Sequence, residues 1–277
     1  MYNLKAVRIA KRKEVTRNMN LTKIDDLTTP AMGIYSQLRD NAFTKDNSFI
    51  ADSPKVVNML LQSAIEVRSI LATQEYFDEH EALIRRKEVP QLFLADKKVM
   101  EKIIGHRLHH NVMMHGTRPP ETPLENLGDH IIMLDKTSSS ENIGAIARSA
   151  AALGVDSYLL PEQAPHPYGR RALRVSMGHI CMLKTHLYSD LFATLKALQA
   201  GGYKIFAAEV TADSTPLAEI EVPKKWVLLM GHEGRGLSKE VLAACDEAVQ
   251  IEMEPDIKSF NVGIAASILM YQFKNRG

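Results

Sequence analysis

Three short segments in the C-terminal half of the chain carry residue types suited to chemistry. The first, DKTSSSENIGAIARSAAALGVD (135–156), sets Gly144 two and Arg148 six residues after Asn142 in an otherwise small, apolar run. Ser or Glu at its start can cap a helix, and Gly144 lets the first turn approach a neighbour or a ligand. Arg148 is either a solvated helix residue or a positioned cation. The second segment, LLMGHEGRGLS (228–238), holds Glu233 among Gly231, Gly234 and Gly236. Glycines between a strand and a helix bring backbone amides against a ligand, or simply make a tight turn. The pattern is G-x-x-G-x-G rather than the G-x-G-x-x-G of dinucleotide binding, and it lacks the lysine of a phosphate loop. The third segment, IEMEPDIKSFNVGIAASIL (251–269), breaks a strand at Glu254–Pro255 and sets Ser259 and Asn261 at the mouth of a helix. Capping and turn formation would explain both residues, as would a site.

The elements that must position these segments alternate regularly. HIIMLD (130–135), DSYLLP, HICMLKTH, YKIFAAEV, WVLLMG and AVQIEME read as strands. ENIGAIARSAAALG (141–154), DLFATLKALQA, KEVLAACD and SFNVGIAASILMYQF read as helices, the last apolar over most of its surface. Such alternation predicts an α/β fold with a parallel sheet, whose ligands gather at the carboxyl ends of the strands. Upstream, strands at SFIAD (48–52), VRSILAT (67–73) and PQLFLAD (90–96) interleave with helices over PKVVNMLLQSA, TQEYFDEHEALIRR and KKVMEKIIG, a smaller α/β domain. Between the two lies proline-rich GTRPPETPLENLGD (116–129), where Pro119, Pro120 and Pro123 suit neither helix nor central strand. The expected organisation is a basic extension (1–38), a small domain (39–118), a linker (119–128) and a larger domain (129–277).

Composition narrows the class. Of 277 residues 45% are hydrophobic and 24% charged, as in soluble globular proteins. No run approaches the ~18 apolar residues of a membrane span, and the N-terminus lacks the apolar core of a secretory signal. Two cysteines, Cys181 and Cys245, form no disulfide framework, so a cytoplasmic protein is expected. A net charge of +1 gives no argument for a polyanionic partner. The first twenty residues do: Lys5, Arg8, Lys11, Arg12, Lys13 and Arg17 face one acid, Glu14. That arm suits a phosphate backbone or is a plain solvated terminus. His106, His109, His110 and His115 cluster in HRLHHNVMMHG without a cysteine or a common zinc spacing, so no metal is expected there.

Taken in order, the three segments resemble motifs one, two and three of the SpoU (TrmH-type) RNA 2′-O-ribose methyltransferases of the SPOUT superfamily. The family's Asn, Gly and Arg of motif one correspond to Asn142, Gly144 and Arg148, and the Gly-x-Glu-x-x-Gly of motif two to Gly231, Glu233 and Gly236. Motif three resembles IPMxGxxxSLNV, which IEMEPDIKSFNV matches at Ile251, Met253, Ser259, Asn261 and Val262. RVSMGH (174–179) is similar to the family's Arg-x-Ser-x-Gly stretch, and the likeness covers roughly residues 128–277. Departures are DKTSSSEN in place of Asp-Pro-x-Asn, Glu252 for Pro, Pro255 for Gly and Phe260 for Leu. Pro255 removes one backbone donor, and Phe260 could cover an adenine by stacking.

The resemblance implies a SPOUT-type parallel sheet with a C-terminal trefoil knot, preceded by a smaller L30e-like α/β domain to which FIADSPKVV is more weakly similar. It implies S-adenosylmethionine as cofactor, held by Gly231, Ile251, Met253 and Phe260. It further implies 2′-O-methylation of a ribose in tRNA or rRNA, with Arg148 catalytic and Asn142, Glu233, Ser259 and Asn261 around it. Family members are homodimers in which the arginine of one subunit approaches the cofactor of the other. Because the chain ends four residues after Phe273, RNA recognition is expected from residues 1–118 and from Arg170, Arg171 and Arg174. Two other readings remain: a non-catalytic RNA-binding protein that keeps the fold, and a dinucleotide-dependent oxidoreductase. The latter would need its glycine fingerprint early in a βαβ unit rather than close to the C-terminus.

Overall fold

Residues 19–25, 29–37, 46–105, 107–257 and 259–276 are described in the computed structural model; the basic residues at 5–17 and His106 lie outside them. The chain divides into two units, Met1–Pro119 and Pro120–Gly277, each with its own sheet.

In the first unit the elements are β1 (Leu21–Lys23), α1 (Gly33–Ser36), β2 (Ser48–Asp52), α2 (Pro54–Gln62), β3 (Val67–Ala72), α3 (Gln74–Lys87), β4 (Gln91–Leu94), α4 (Lys97–Ile104) and β5 (Val112–Thr117). The strand order is β1-β4-β3-β5-β2, with β5 antiparallel to both of its neighbours and the remaining pairs parallel. One sequence expectation is corrected here. The stretch expected as an extension before residue 39 is in part built into this sheet. Its β1 pairs with β4, while Ile24, Met32 and Tyr35 join the core and Tyr35 Oη lies 2.7 Å from Ser69 Oγ. Three residues are too few to show a period of two, so the sequence concealed β1. The His-rich stretch, for which the sequence predicted no element, contains β5, in which Val112, Met113 and Met114 are buried.

The second unit begins before residue 129. Thr122 N–H donates to Thr185 O, a 3₁₀ turn spans Leu124–Asn126, and Leu127 enters the core, so the expected linker is largely part of this unit. Its elements are β6 (His130–Leu134), α5 (Ser140–Leu153), β7 (Ser157–Pro161), α6 (Arg170–Val175), β8 (Lys184–Tyr188), α7 (Leu191–Ala200), β9 (Lys204–Ala208), β10 (Thr215–Pro216), β11 (Trp226–Met230), α8 (Lys239–Ala243), β12 (Glu247–Gln250) and α9 (Val262–Arg276). All seven strands run parallel in the order β10-β12-β9-β11-β6-β7-β8. A parallel sheet covered on both faces calls for unbroken apolar strands, and every residue of β11 is buried. Alternate residues serve opposite faces. Ile131, Met133, Ile205, Ala207, Val227 and Leu229 pack with Leu195 and Leu198 of α7 and Val241 of α8. On the other face Phe273 of α9 meets Trp226 and Phe206 edge-on, at centroid distances of 5.1 and 5.0 Å.

Two strand boundaries differ from expectation. HICM (179–182) is a 3₁₀ turn, wound by positive φ at Met177 and Gly178, and the strand starts at Lys184. The last strand stops at Gln250 instead of running to Glu254, because β9 ends at Ala208, which pairs with Val249, and β10 is only two residues long. Among the described residues no helix is long and apolar enough to cross a membrane.

Phe273 is fully buried, so Phe273→Ala should lower unfolding free energy by ~3–5 kcal/mol. Urea denaturation followed by Trp226 fluorescence would read this as an earlier midpoint.

Candidate active site

The central strand β11 ends at Met230, and from Gly231 the chain turns back on itself. His232 and Gly236 form an antiparallel bridge, with Gly236 N–H donating to His232 O at 2.9 Å. A Cβ at Gly231 would stand 2.6 Å from the Gly236 carbonyl carbon and 2.8 Å from Leu237 N. Gly236 has φ +63°, where side chains with a Cβ are strained. Gly234 meets nothing nearer than 3.9 Å. Gly236 therefore serves a left-handed turn, and Gly231 serves close chain passage. Gly144 does the same for α5, since a Cβ there would lie 2.6 Å from Ala172 O of α6.

Asn142, Glu233 and Asn261 come together from three different strand ends. Asn261 precedes α9 and caps it, its Oδ1 accepting the N–H groups of Gly263 at 2.9 Å and Ile264 at 3.4 Å. Its amide nitrogen must then point away from the helix, and it donates to Asn142 Oδ1 at 3.1 Å. Asn142 in turn donates through Nδ2 to Glu233 Oε1 at 3.0 Å. Asn142 is itself fixed because Ser139 Oγ, the cap of α5, accepts its backbone N–H. Asn142 and Asn261 thus each have both a place at a helix start and a place in one directed chain of hydrogen bonds, which ends on the Glu233 carboxylate.

Beside that chain lies a cleft of about 300 Å³. Gly231, Ile251, Met253 and Phe260 all line it, together with Glu233, Ser259, Val262, Leu269, Val249 and Glu209. Phe260 is 40% exposed at the cleft. Pro255 is exposed and does not contribute to the lining, so the replacement of Gly by Pro there takes no amide from this wall. Behind the site Asp135 is buried where β6 ends, its N–H donating to Met230 O. Burial raises its carboxyl above the ordinary value, opposed by the charges of Lys136 and His232.

Arg148 stands apart. It is exposed on α5, does not line the cleft of its own chain, and has no hydrogen bond or ion pair among the described residues. The next residue, Ser149, accepts a hydrogen bond from Ser267 of α9. Arg170, Arg171 and Arg174 share α6, which packs on α5; Arg171 pairs with Glu141, and the other two are half-buried. Glu209 was missed by sequence reading. It directly follows β9 and belongs to no motif, and only its position beside the turn at 236–237 brings it into the cleft.

The sequence model of the SpoU rRNA Methylase family matches residues 129–271. The chain belongs to that family. This SpoU chain is 28% identical over 234 residues to an uncharacterized tRNA/rRNA methyltransferase of Mycobacterium tuberculosis, covering 82% of its own length and 81% of that protein's. Its fold is similar to that of the AdoMet-bound rRNA methyltransferase of Sinorhizobium meliloti, with TM-score 0.80 and 21% identity over 92% of this chain and 98% of that one. The SpoU methyltransferase AviRb of Streptomyces viridochromogenes, solved in complex with the cofactor AdoMet, gives TM-score 0.78 and 19% identity over 89% and 98%.

The glycines of the SpoU turn should separate on substitution. Gly231→Ala forces backbone apart and should cost ~1–3 kcal/mol, whereas Gly234→Ala should stay within ~0.5 kcal/mol of the parent. Thermal denaturation of the two variants would read the difference.

Proposed function

We propose that this protein transfers a methyl group from S-adenosylmethionine to the 2′-hydroxyl of a ribose in tRNA or rRNA. The observation that carries the reading is the convergence of Gly231, Ile251, Met253 and Phe260 on one cleft next to the Asn142–Glu233–Asn261 chain. The cleft fits the cofactor's chemistry: apolar side chains for an adenine, backbone groups at a close-packed turn, and carboxylates for a cation. Phe260 and Ile251 would cover the base, and Gly231 would let the backbone come close. When bound, S-adenosylmethionine supplies a methyl already activated as a sulfonium, so the protein has to position the two reactants and manage one proton.

Arg148 would act as a clamp on the RNA phosphate beside the attacking hydroxyl. A guanidinium keeps its proton at any working pH, which disfavours it as the base. The clamp stabilises the developing alkoxide, and the proton leaves to phosphate or water. Glu233, oriented by Asn142, and Ser259 would hold the reacting end in place. Recognition of the RNA would fall to the first unit, read as L30e-like, with Arg170, Arg171 and Arg174.

The reading includes a homodimer in which Arg148 of the partner subunit faces the cleft. It is supported by the position of Arg148, outside its own cleft but beside α9, where Ile264 and Tyr271 are 54% and 60% exposed. It also includes the family's trefoil knot, supported by the return of α9 from β12 to pack on α5 and β11 and by the chain passage at Gly231. The reading also includes a cytoplasmic setting, in keeping with two cysteines, Cys181 and Cys245, that form no disulfide.

Purified protein incubated with labelled S-adenosylmethionine and RNA, followed by digestion to nucleosides, should yield 2′-O-methylnucleosides. Label on a base, or no transfer, would overturn the reading. Arg148→Ala should lower the rate ~100-fold or more with little change in cofactor affinity, and Arg148→Lys retaining nearly full activity would rule out the bidentate clamp. Analytical ultracentrifugation should give twice the 30.9 kDa chain mass, shifted towards monomer by Tyr271→Glu.

A further inference from the structure

Glu209 is a charged group in the cleft that none of the family motifs accounts for. Its backbone is held on both sides: Glu209 N–H donates to Val249 O at 3.1 Å, and its carbonyl accepts Ser214 Oγ at 2.9 Å. The side chain is held as well. Oε2 accepts Leu237 N–H at 2.7 Å, and Oε1 accepts its neighbour Val210 N–H at 3.3 Å. The carboxylate can lie there only because residue 236 is glycine, since a Cβ at that position would be 2.1 Å from Oε2.

A carboxylate has about four lone-pair sites, and two are used by these amides. The others remain for the cleft that Glu209 helps to line. The sheet order fixes which end of the cleft this is. β9 and β12 lie on one side of β11, and β6, which leads to Asn142, lies on the other. Glu209 therefore stands on the side away from the Asn142–Glu233–Asn261 chain, among Ala208, Val249 and Gln250. On the reading above, in which Glu233 would hold the reacting end, the nucleoside portion of the ligand would lie towards this end of the cleft. Two carboxylate oxygens held side by side match two neighbouring hydroxyl donors.

We propose that Glu209 binds the vicinal 2′,3′-hydroxyls of the cofactor's ribose and so sets the selectivity of the cleft for a ribonucleoside ligand. This rests on the cofactor reading given under Proposed function. The carboxylate is a binding residue, fixed in advance by Leu237 N–H and by the absence of a side chain at Gly236, and it takes no part in the methyl transfer itself.

Calorimetric titration of the full-length protein with S-adenosylhomocysteine and with its 2′,3′-dideoxy analogue tests this without reference to activity. The wild type should bind the diol ligand ~10- to 100-fold more tightly, the range for hydrogen bonds to a charged group. Glu209→Gln should weaken the diol ligand and leave the dideoxy ligand nearly unchanged, narrowing the preference to about threefold or less. Equal affinity of the wild type for both ligands overturns the proposal, with no variant needed. Equal weakening of both ligands in Glu209→Gln also overturns it, because Glu209 would then only support the turn at 236–237. If the wild type bound neither ligand, the cofactor reading itself would fail and this inference with it.

Discussion

The side-chain amide of Asn142 is the point on which the site depends. It can be polarised in only one way, because two N–H groups at the start of α9 claim the oxygen of Asn261 and oblige that residue to donate. Asn142 must then accept on one side and donate to Glu233 on the other. Hydrogen bonds as exposed as these contribute roughly 0.5–1.5 kcal/mol each at most. Their value is geometric. They tie the end of β6, the turn after β11 and the start of α9 into one arrangement, and residues distant in sequence acquire fixed relative orientations.

That arrangement requires chains to pass one another more closely than side chains allow. Gly231 admits the backbone of 236–237, Gly236 admits the Glu209 carboxylate, and Gly144 admits α6 against α5. The cost of such glycines is unfolded-state entropy, offset by a sheet buried on both faces and by the aromatic contacts that seat α9. The same packing buries the floor of the cleft at Met230, Gly231 and Val249. Its rim, with Phe260 and Ser259, is more exposed.

Much of this was legible in the sequence, though for uneven reasons. Unbroken apolar runs ending in Gly, Asp or Glu marked β6, β9 and β11 and the sheet ends where ligands gather. Asn261 read equally well as a turn residue and as a site residue, and it is both: one carbonyl oxygen caps α9 while the nitrogen reaches Asn142. Gly231 was visible as a motif, but the object it avoids, the backbone five residues on, is a tertiary fact. Glu209 belonged to no motif, because its meaning lies in a neighbour in the turn after β11. The three-residue β1 and the His-bearing β5 were hidden for the opposite reason, since short or polar-tipped strands lack a readable period.

The central claim is that the ends of β6 and β11 and the entrance to α9 form one ligand site. Hydrogen–deuterium exchange of the wild-type protein, with and without saturating S-adenosylhomocysteine, tests it most directly. Slower exchange is predicted together at 231–237, 251–253 and 259–263, with β2 and β3 of the first unit unchanged. Protection absent from those three segments, or confined to the Met1–Pro119 unit, would contradict the account.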